Sequence, residues 1–223
     1  MSENYSRKGY TGGRPDILAL LTNSVERVLD VGCSTGTLGR SIKEIHGARV
    51  TGIELDKRMA LVAKNQLNRV LVGDAEKIFE QGQLKDEKFD VIIFADILEH
   101  LINPWRVLSL ATEHLSEHGM IIASIPNIRF FNSLFNVAVL GRWPYRDRGI
   151  HDRTHLRFFT LKNIQELFDQ AGLVIENQTA NYRIIERPHG VNRYAKYLAL
   201  PGVRNFLAYQ YLIRAKKVDL SRK

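Results

Sequence analysis

Cysteine is almost absent: Cys33 is the single one in 223 residues, which excludes an internal disulfide and any cysteine-built zinc site. No charged and then apolar leader opens the chain, so a reducing, cytoplasmic location is expected. Long apolar runs are missing too, since the stretch Phe130 to Leu140 is too short to span a bilayer. There is no internal repeat, no low-complexity tract and no Gly-Lys-Ser/Thr phosphate loop. No His/Cys/Glu spacing marks a metal site. His151 and His155 would pair on a metal only along one continuous helix, against which Pro144 and Gly149 argue upstream, so no metal is expected.

The length suits one α/β domain with extensions, able to bury roughly 70% of its unfolded surface without cross-links. The net charge of +8 is unevenly placed: residues 1–140 carry −1 and residues 141–223 carry +9. A neutral first part and a basic last third fit an anionic partner, whether a phosphorylated substrate, a nucleic acid or a membrane surface, and fit equally a solvated basic surface.

The stretch that organises the chain runs from Arg27 to Gly39. An aliphatic run enters a glycine-bearing turn, Asp30-Val31-Gly32-Cys33-Ser34-Thr35-Gly36, and a helix is expected from Thr37 to Ile45. Such a turn brings a ligand close to backbone N–H groups at a helix start. A dinucleotide fingerprint would place a third glycine where Thr37 stands. Asp30 would repel phosphate and favours a cationic or amine-bearing ligand.

Downstream, strand and helix alternate. Ala48 to Glu54 reads as a second strand and Asp56 to Asn65 as a helix. Glu54, with Leu55 beside it, stands 22 residues after Gly32, the separation at which an acid ending the second strand accepts ribose hydroxyls. Arg69 to Val72 is a third strand, and Phe89 to Ala95 is an apolar run suited to a central parallel strand. Asp96 to Leu101 follows it at the ligand-binding face. A helix over Pro104 to His114 and a fifth strand over Gly119 to Pro126 come next. Phe130 to Leu140 is expected to be a helical lid. Leu161 to Gln170 is a helix capped by Thr160, Leu173 to Ile175 begin a sixth strand, and Gln210 to Lys217 return as a last strand at the sheet edge. The pattern predicts a Rossmann-like, doubly wound, mostly parallel seven-stranded α/β sheet with helices on both faces and helical insertions on the acceptor side. One domain over 26–223 is expected, with insertions at 127–159 and 181–208, preceded by an arm and helix over 1–25.

Asp30 to Gly36 resembles motif I of the class I S-adenosylmethionine-dependent methyltransferases, Asp/Glu-x-Gly-x-Gly-x-Gly, with Ser34 in place of the middle glycine. The resemblance extends from about residue 26 to 180. It implies S-adenosylmethionine as cofactor, held by Asp30, Gly32, Cys33, Ser34, Gly36, Glu54 and Leu55. It further implies contact of Asp74 with the adenine amino group, of the Ala75 backbone with the ring, and of Asp96 with either the methionine part or the acceptor. Leu98-Glu99-His100 is similar to a segment many members carry, although His100 reads equally as a structural residue.

On the acceptor side, His151-Asp152-Arg153-Thr154-His155-Leu156-Arg157 offers a base, an orienting acid and an anion clamp. His151, Asp152 and His155 are the catalytic candidates, and His155 with Arg157 reads alternatively as a tie to the sheet. Together with Asn127 this segment resembles methyltransferases of bacterial surface-polysaccharide synthesis and of quinone-type small-molecule O-methylation. The expected reaction is O-methylation of a sugar, glycan or other small-molecule hydroxyl. Nucleic-acid methylation is the alternative; against it, Asp96-Ile97-Leu98-Glu99 lacks the prolines of an Asn/Asp-Pro-Pro-Tyr segment. A cofactor-binding partner protein without chemistry is a third reading. The mixed basic and aromatic stretch 181–208 is read as a packed helical cover in preference to a peripheral membrane contact.

Overall fold

Runs dense in Val, Ile and Phe become extended where both faces can be covered, because branched and aromatic side chains fit a pleated surface. The computed structural model describes residues 13–22 and 25–218, and in it seven such runs form one sheet. They are β1 Arg27–Val31, β2 Arg49–Glu54, β3 Arg69–Val72, β4 Phe89–Ala95, β5 Leu115–Pro126, β6 Leu173–Tyr182 and β7 Ala208–Lys217. Their order is β3-β2-β1-β4-β5-β7-β6. The first five are parallel, while β7 runs antiparallel to both β5 and β6, so the sheet is mixed.

Side chains alternate between the two faces with a period of two, and each face has its own apolar layer. Leu29, Val31, Ile53, Ile92 and Phe94 pack on one side beneath α4 (Ala75–Glu80), α5 (Pro104–Glu113) and α7 (Leu161–Gln170). Val28, Val50, Val91, Ile93 and Ile122 pack on the other with Leu38 and Ile42 of α2 (Thr37–His46) and Ile17 of α1 (Pro15–Leu18). Helix starts follow sequence-readable caps. The Asp56 carboxylate accepts from the N–H groups of Arg58 and Met59 at the head of α3 (Lys57–Ala63), and Thr160 with Asn163 closes a capping box on α7.

The strand expected at the sheet edge is not there: β7 lies between β5 and β6. Ala208 to Leu212 and Ile213 are all buried, as an inner strand requires, whereas β6 alternates half-buried and exposed residues as the true edge. β6 also runs through Tyr182, because Asn177 to Asn181 pair with Arg214 to Gln210 despite their polarity.

Segment 127–159 folds back over the carboxyl ends of the strands. The buried Asn127 amide donates to the carbonyls of Asn205 and Ala208, both at 2.8 Å, which ties the end of β5 to α9 (Arg204–Leu207) and β7. α6 (Phe131–Ala138) sits beside a shallow outer hollow with Leu140 and Arg146 and forms no wall of the main cavity, so it is not the expected lid. That wall comes from residues 147–156. A further short helix, α8 (Ala195–Leu198), follows in the C-terminal cover. No helix among the described residues is long and apolar enough to cross a membrane. Of the arm expected over residues 1–13, residues 1–12 lie outside the described residues.

Register also explains Gly52, which sits opposite Asp30. A Cβ there would stand 2.5 Å from Cys33 Sγ and 2.7 Å from Leu67 Cδ1. Overpacking of this kind costs about 1–3 kcal/mol. Gly52→Ala is therefore expected to lower Tm by roughly 2–10 °C in a chain of this size. Gly190→Ala, with nothing within 4 Å of the added methyl, is expected to leave Tm within about 2 °C, as read by differential scanning calorimetry.

Candidate functional site

A cavity of about 880 Å³ opens at the carboxyl ends of β1, β2 and β4. It lies where the strand order turns from β1 back to β4, the switch point at which open α/β sheets bind ligands.

Its first wall is the turn after β1. Gly32 and Cys33 donate their N–H groups to the Ile53 carbonyl at 2.8 and 3.0 Å. Ser34 adopts φ 51°, a left-handed conformation costing a non-glycine residue about 1–2 kcal/mol. Glu54 at the end of β2 holds it there: Oε2 accepts from Ser34 N at 2.8 Å and Oε1 from Asp56 N at 2.7 Å. Each carboxylate oxygen keeps a second lone pair for a ligand hydroxyl. Ser34 thus takes the backbone shape of the glycine it replaces because a buried acid secures its amide.

Asp30 is 2% exposed, and its Oδ2 has no hydrogen-bond donor among the described residues. Burial, then the neighbouring Glu54 charge, pushes its carboxyl up to about 7 against the pull of Arg14. An orphaned buried carboxylate oxygen on the cavity wall suits a positively charged ligand group. Asp74 caps α4 by accepting from Glu76 N at 2.9 Å, and Ala75 and Leu55 complete this end. Cys33 also lines the cavity, but burial raises its thiol above the ordinary range, so it acts as packing and not as a nucleophile.

Asp96, after β4, receives Arg14 Nη1 at 2.5 Å and the Gln210 amide. Arg14 in turn clasps Asp16 through Nε and Nη2 at 2.9 and 3.0 Å. Burial raises the Asp96 carboxyl in spite of Arg14. Asp30, Gly32, Cys33, Ser34, Glu54, Leu55, Asp74, Ala75 and Asp96 therefore share one cavity. Gly36 is not on its wall; it starts α2 with φ 80° and a Cβ there would press on Leu67 and Ala63, so its part is to shape the turn.

The opposite wall joins the short turn Leu98–His100 to residues 147–156. Leu156 N and Arg157 N both donate to the Glu99 carbonyl at 2.9 and 3.0 Å, and Arg157 Nε donates to the Ile102 carbonyl at 3.0 Å. Asp152 and His155 lie on this wall with Glu99 and His100. Burial and the adjacent His100 push His155 down to about 4, so it is neutral at pH 7. Burial, then the Asp96 charge, raises the Glu99 carboxyl well above its usual range. Asp152 stays below its ordinary value: burial opposes this, but the Thr154 hydroxyl and amide both donate to it.

His151 is not on the wall. It is fully buried behind it, with Nδ1 3.4 Å from Glu186 Oε1 and its ring edge-on to Trp143 at 4.8 Å. Glu186 is also held by Arg146 at 2.6 Å, so His151 anchors the covering segment and does not line the cavity. Arg14, Glu99 and Gln210 are wall residues that the sequence did not single out for the site; only Glu99, inside Leu98-Glu99-His100, had a local signal.

The family described as "Methyltransferase domain" matches residues 7–178. A ubiquinone biosynthesis O-methyltransferase of Photobacterium profundum is 30% identical over 158 residues, covering 66% of this chain and 63% of that protein. One from Coxiella burnetii is 28% identical over 163 residues, covering 69% and 65%. The chain thus spans less than two thirds of the length of these relatives. Among solved structures, an S-adenosylmethionine-dependent methyltransferase from Mesorhizobium loti shares the fold with TM-score 0.64 at 18% identity over 95% of this chain and 100% of that one. One from Archaeoglobus fulgidus does so with TM-score 0.61 at 20% identity, covering 87% of each. A domain match over residues 7–178, on a sheet whose switch point gathers three acids at or beside strand ends, means that this chain belongs to the class I S-adenosylmethionine-dependent methyltransferases, with S-adenosylmethionine as its cofactor.

Proposed function

We propose that the enzyme methylates a hydroxyl oxygen of a small molecule. The observation that carries this reading is the two-sided cavity: Asp30, Glu54 and Asp74 form one wall, and Glu99, Asp152 and His155 form the other. The residues of the first wall fit the cofactor. The orphaned Asp30 Oδ2 suits its cationic part, the second lone pairs of Glu54 suit ribose hydroxyls, and Asp74 with Ala75 suits the adenine. When bound, S-adenosylmethionine supplies a methyl group on a positively charged sulfur, which keeps the electron pair of the breaking bond.

The chain's own residues do the rest. Arg14 and Gln210 fix Asp96 between the two walls, where it would help to position an acceptor oxygen against the cofactor; positioning of that kind is worth about 7–11 kcal/mol in favourable cases. The acceptor hydroxyl enters at Asp152 and His155, the side from which its proton must leave. Arg148 stands on the same wall, beside Arg153 and its 3.3 Å partner Asp147, and the reading extends to an acceptor whose negative charge meets Arg148. Relatives named for O-methylation in ubiquinone biosynthesis support a small hydroxylated molecule, and sugar and glycan hydroxyls belong to the same chemical class. A cytoplasmic site of action is part of the reading, supported by the single buried thiol.

The test is product analysis. Phenols and catechols, sugar nucleotides and lipid-linked glycans are each incubated with methyl-labelled cofactor, with RNA and DNA alongside. A methyl ether from at least one hydroxyl acceptor is expected. Label carried only into nucleic acid, or into none of the panel, overturns the reading.

A further inference from the structure

Asp96 stands on the cavity wall in a left-handed conformation, φ 56°, and its carboxylate is held from two sides. Arg14 Nη1 donates to Oδ2 at 2.5 Å, and the Gln210 amide donates to Oδ1. Gln210 is itself held. It lies on β7 directly opposite Asn181 of β6, whose Nδ2 donates to Gln210 Oε1 at 3.1 Å. The same Nδ2 donates its second proton to Asp16 Oδ2 at 2.9 Å, and Arg14 clasps Asp16. Asp16, Asn181, Gln210, Asp96 and Arg14 thus close a ring of hydrogen bonds that joins the start of α1, β6, β7 and the end of β4.

The polarity of this ring is forced from its acidic end. A carboxylate only accepts, whereas a side-chain amide presents an oxygen on one side and a nitrogen on the other. Asp16 is ionised: burial opposes this, but Arg14 and the Asn181 amide hold its carboxyl below the ordinary value. Asn181 must therefore turn its nitrogen toward Asp16, and the other proton of that nitrogen meets the oxygen of Gln210. Gln210 is left with only its nitrogen for Asp96. Between two acids the pair of amides has one arrangement. The same logic accounts for a polar residue at 181, since an apolar one would leave the oxygen of Gln210, which is only 7% exposed, without a donor. Both amides lie after residue 178, where the family match ends.

We propose that Asn181 and Gln210 are positioning residues, which together aim an N–H group at Asp96 and so hold its carboxylate in one orientation where acceptor and cofactor meet. The proposal rests on reading the cavity as an O-methyltransferase site. The two donors from Arg14 and Gln210 oppose the burial that raises the Asp96 carboxyl, and they fix both of its oxygens against rotation. A carboxylate has about four lone-pair directions, so the two bonds leave acceptor capacity for a bound molecule. Methyl transfer is sensitive to such placement: a misplacement of about 1 Å costs on the order of 100-fold in rate. The far edge of the sheet thereby acts on the site through two amides and no charge.

The test uses an isosteric change. Asn181→Asp keeps the shape of the side chain and reverses its polarity, so Gln210 must turn its nitrogen toward position 181 and its oxygen toward Asp96. Asn181→Leu removes the donor without the reversal. In the full chain the Asp96 carboxyl is followed by its ¹³Cγ resonance, assigned with Asp96→Asn. Its titration midpoint is expected to rise by about one pH unit or more in Asn181→Asp and by less than roughly half of that in Asn181→Leu. The charged groups that bear on Asp96 are Arg14 and Asp16 at the start of α1 and Glu99 in the turn after β4, and they are the same in every variant. In a Gln210→Met background the Asn181→Asp rise is expected to shrink by about half or more, which separates transmission through Gln210 from the new charge acting through space. Turnover is read as kcat and KM with the acceptor that gives the most product in the panel above. Asn181→Asp is expected to lower kcat about tenfold and Asn181→Leu about threefold. Near-UV circular dichroism matching the wild type shows that the variants fold; where Asn181→Asp does not, Gln210→Met alone carries the test, with a raised midpoint and kcat about tenfold down. If Asn181→Asp behaves like the wild type and Asn181→Leu is the worse, Asn181 is a packing residue and the proposal is overturned. An Asn181→Asp rise that Gln210→Met leaves whole overturns it too. A transmitted rise with unchanged kcat on a hydroxyl acceptor overturns the placing of Asp96 between acceptor and cofactor. A transmitted rise with no hydroxyl acceptor methylated supports the ring and counts against the O-methylation reading.

Discussion

Replacing Glu54 by Ala is expected to abolish the thermal stabilisation that S-adenosylhomocysteine gives the wild-type protein. The carboxylate now accepts from Ser34 N at 2.8 Å and Asp56 N at 2.7 Å, and in the proposed complex it also accepts two ribose hydroxyls. A hydrogen bond to a charged group is worth about 1.5–3 kcal/mol, so two lost ligand bonds weaken affinity by roughly 10²–10⁴-fold. The free protein changes as well, since Ser34 loses the acceptor that holds it at φ 51°. Glu54→Gln keeps the volume and one acceptor oxygen but turns an N–H₂ group toward a backbone N–H. Its loss is expected to be intermediate, roughly 10–100-fold. Isothermal titration calorimetry reads both. An unchanged Kd in Glu54→Ala would remove Glu54 from the cofactor site and, with it, the strand-end logic that places Asp74.

How far such a site can be read from sequence depends on whether its residues speak through local chemistry or through contacts. β4 was legible to its ends, Phe89–Ala95, because an uncharged branched run between a charged loop and an acid has few other states open to it. The acids of the first wall were legible for a related reason: each stands at or beside the carboxyl end of a parallel strand, and parallel strands deliver those ends to one face. β7 was placed at the wrong position because insertion between two strands is decided by which neighbour buries more apolar surface. The polar stretch Asn177 to Asn181 gave no hint that it would pair along its length. Arg14 was silent, since nothing in Gly13-Arg14-Pro15 foretells an ion pair with Asp96 across 82 residues. His151 and His155 are four residues apart and chemically alike, yet one faces Glu186 behind the wall and the other faces Glu99 on it. The turn at Gly149 to Asp152 separates them, and no periodicity encodes that turn.

Cofactor affinity is expected to rise with pH and level off above about 7, and Asp30 is the reason. Its carboxyl titrates near 7 in the free protein because it is buried and faces Glu54, with Arg14 only partly offsetting both. Below that value the free protein holds a neutral Asp30, while a cationic ligand group favours the ionised form. Binding must then expel a proton, so affinity falls by up to tenfold for each unit of acidification. From pH 8 down to pH 5 the loss approaches roughly 100-fold. Calorimetry with S-adenosylhomocysteine in two buffers of different ionisation enthalpy reads the released proton directly, and close to one per ligand is expected at pH 6. Asp30→Asn removes the titrating group, so its affinity should match the weak acid-limb value and stay level with pH. Arg14 keeps its charge across this range and cannot produce the slope. A wild-type Kd that does not move between pH 5 and 8 would mean that the orphaned Oδ2 of Asp30 faces no positive charge in the complex, and the cationic end of the ligand would have to be sought beside Asp96 instead.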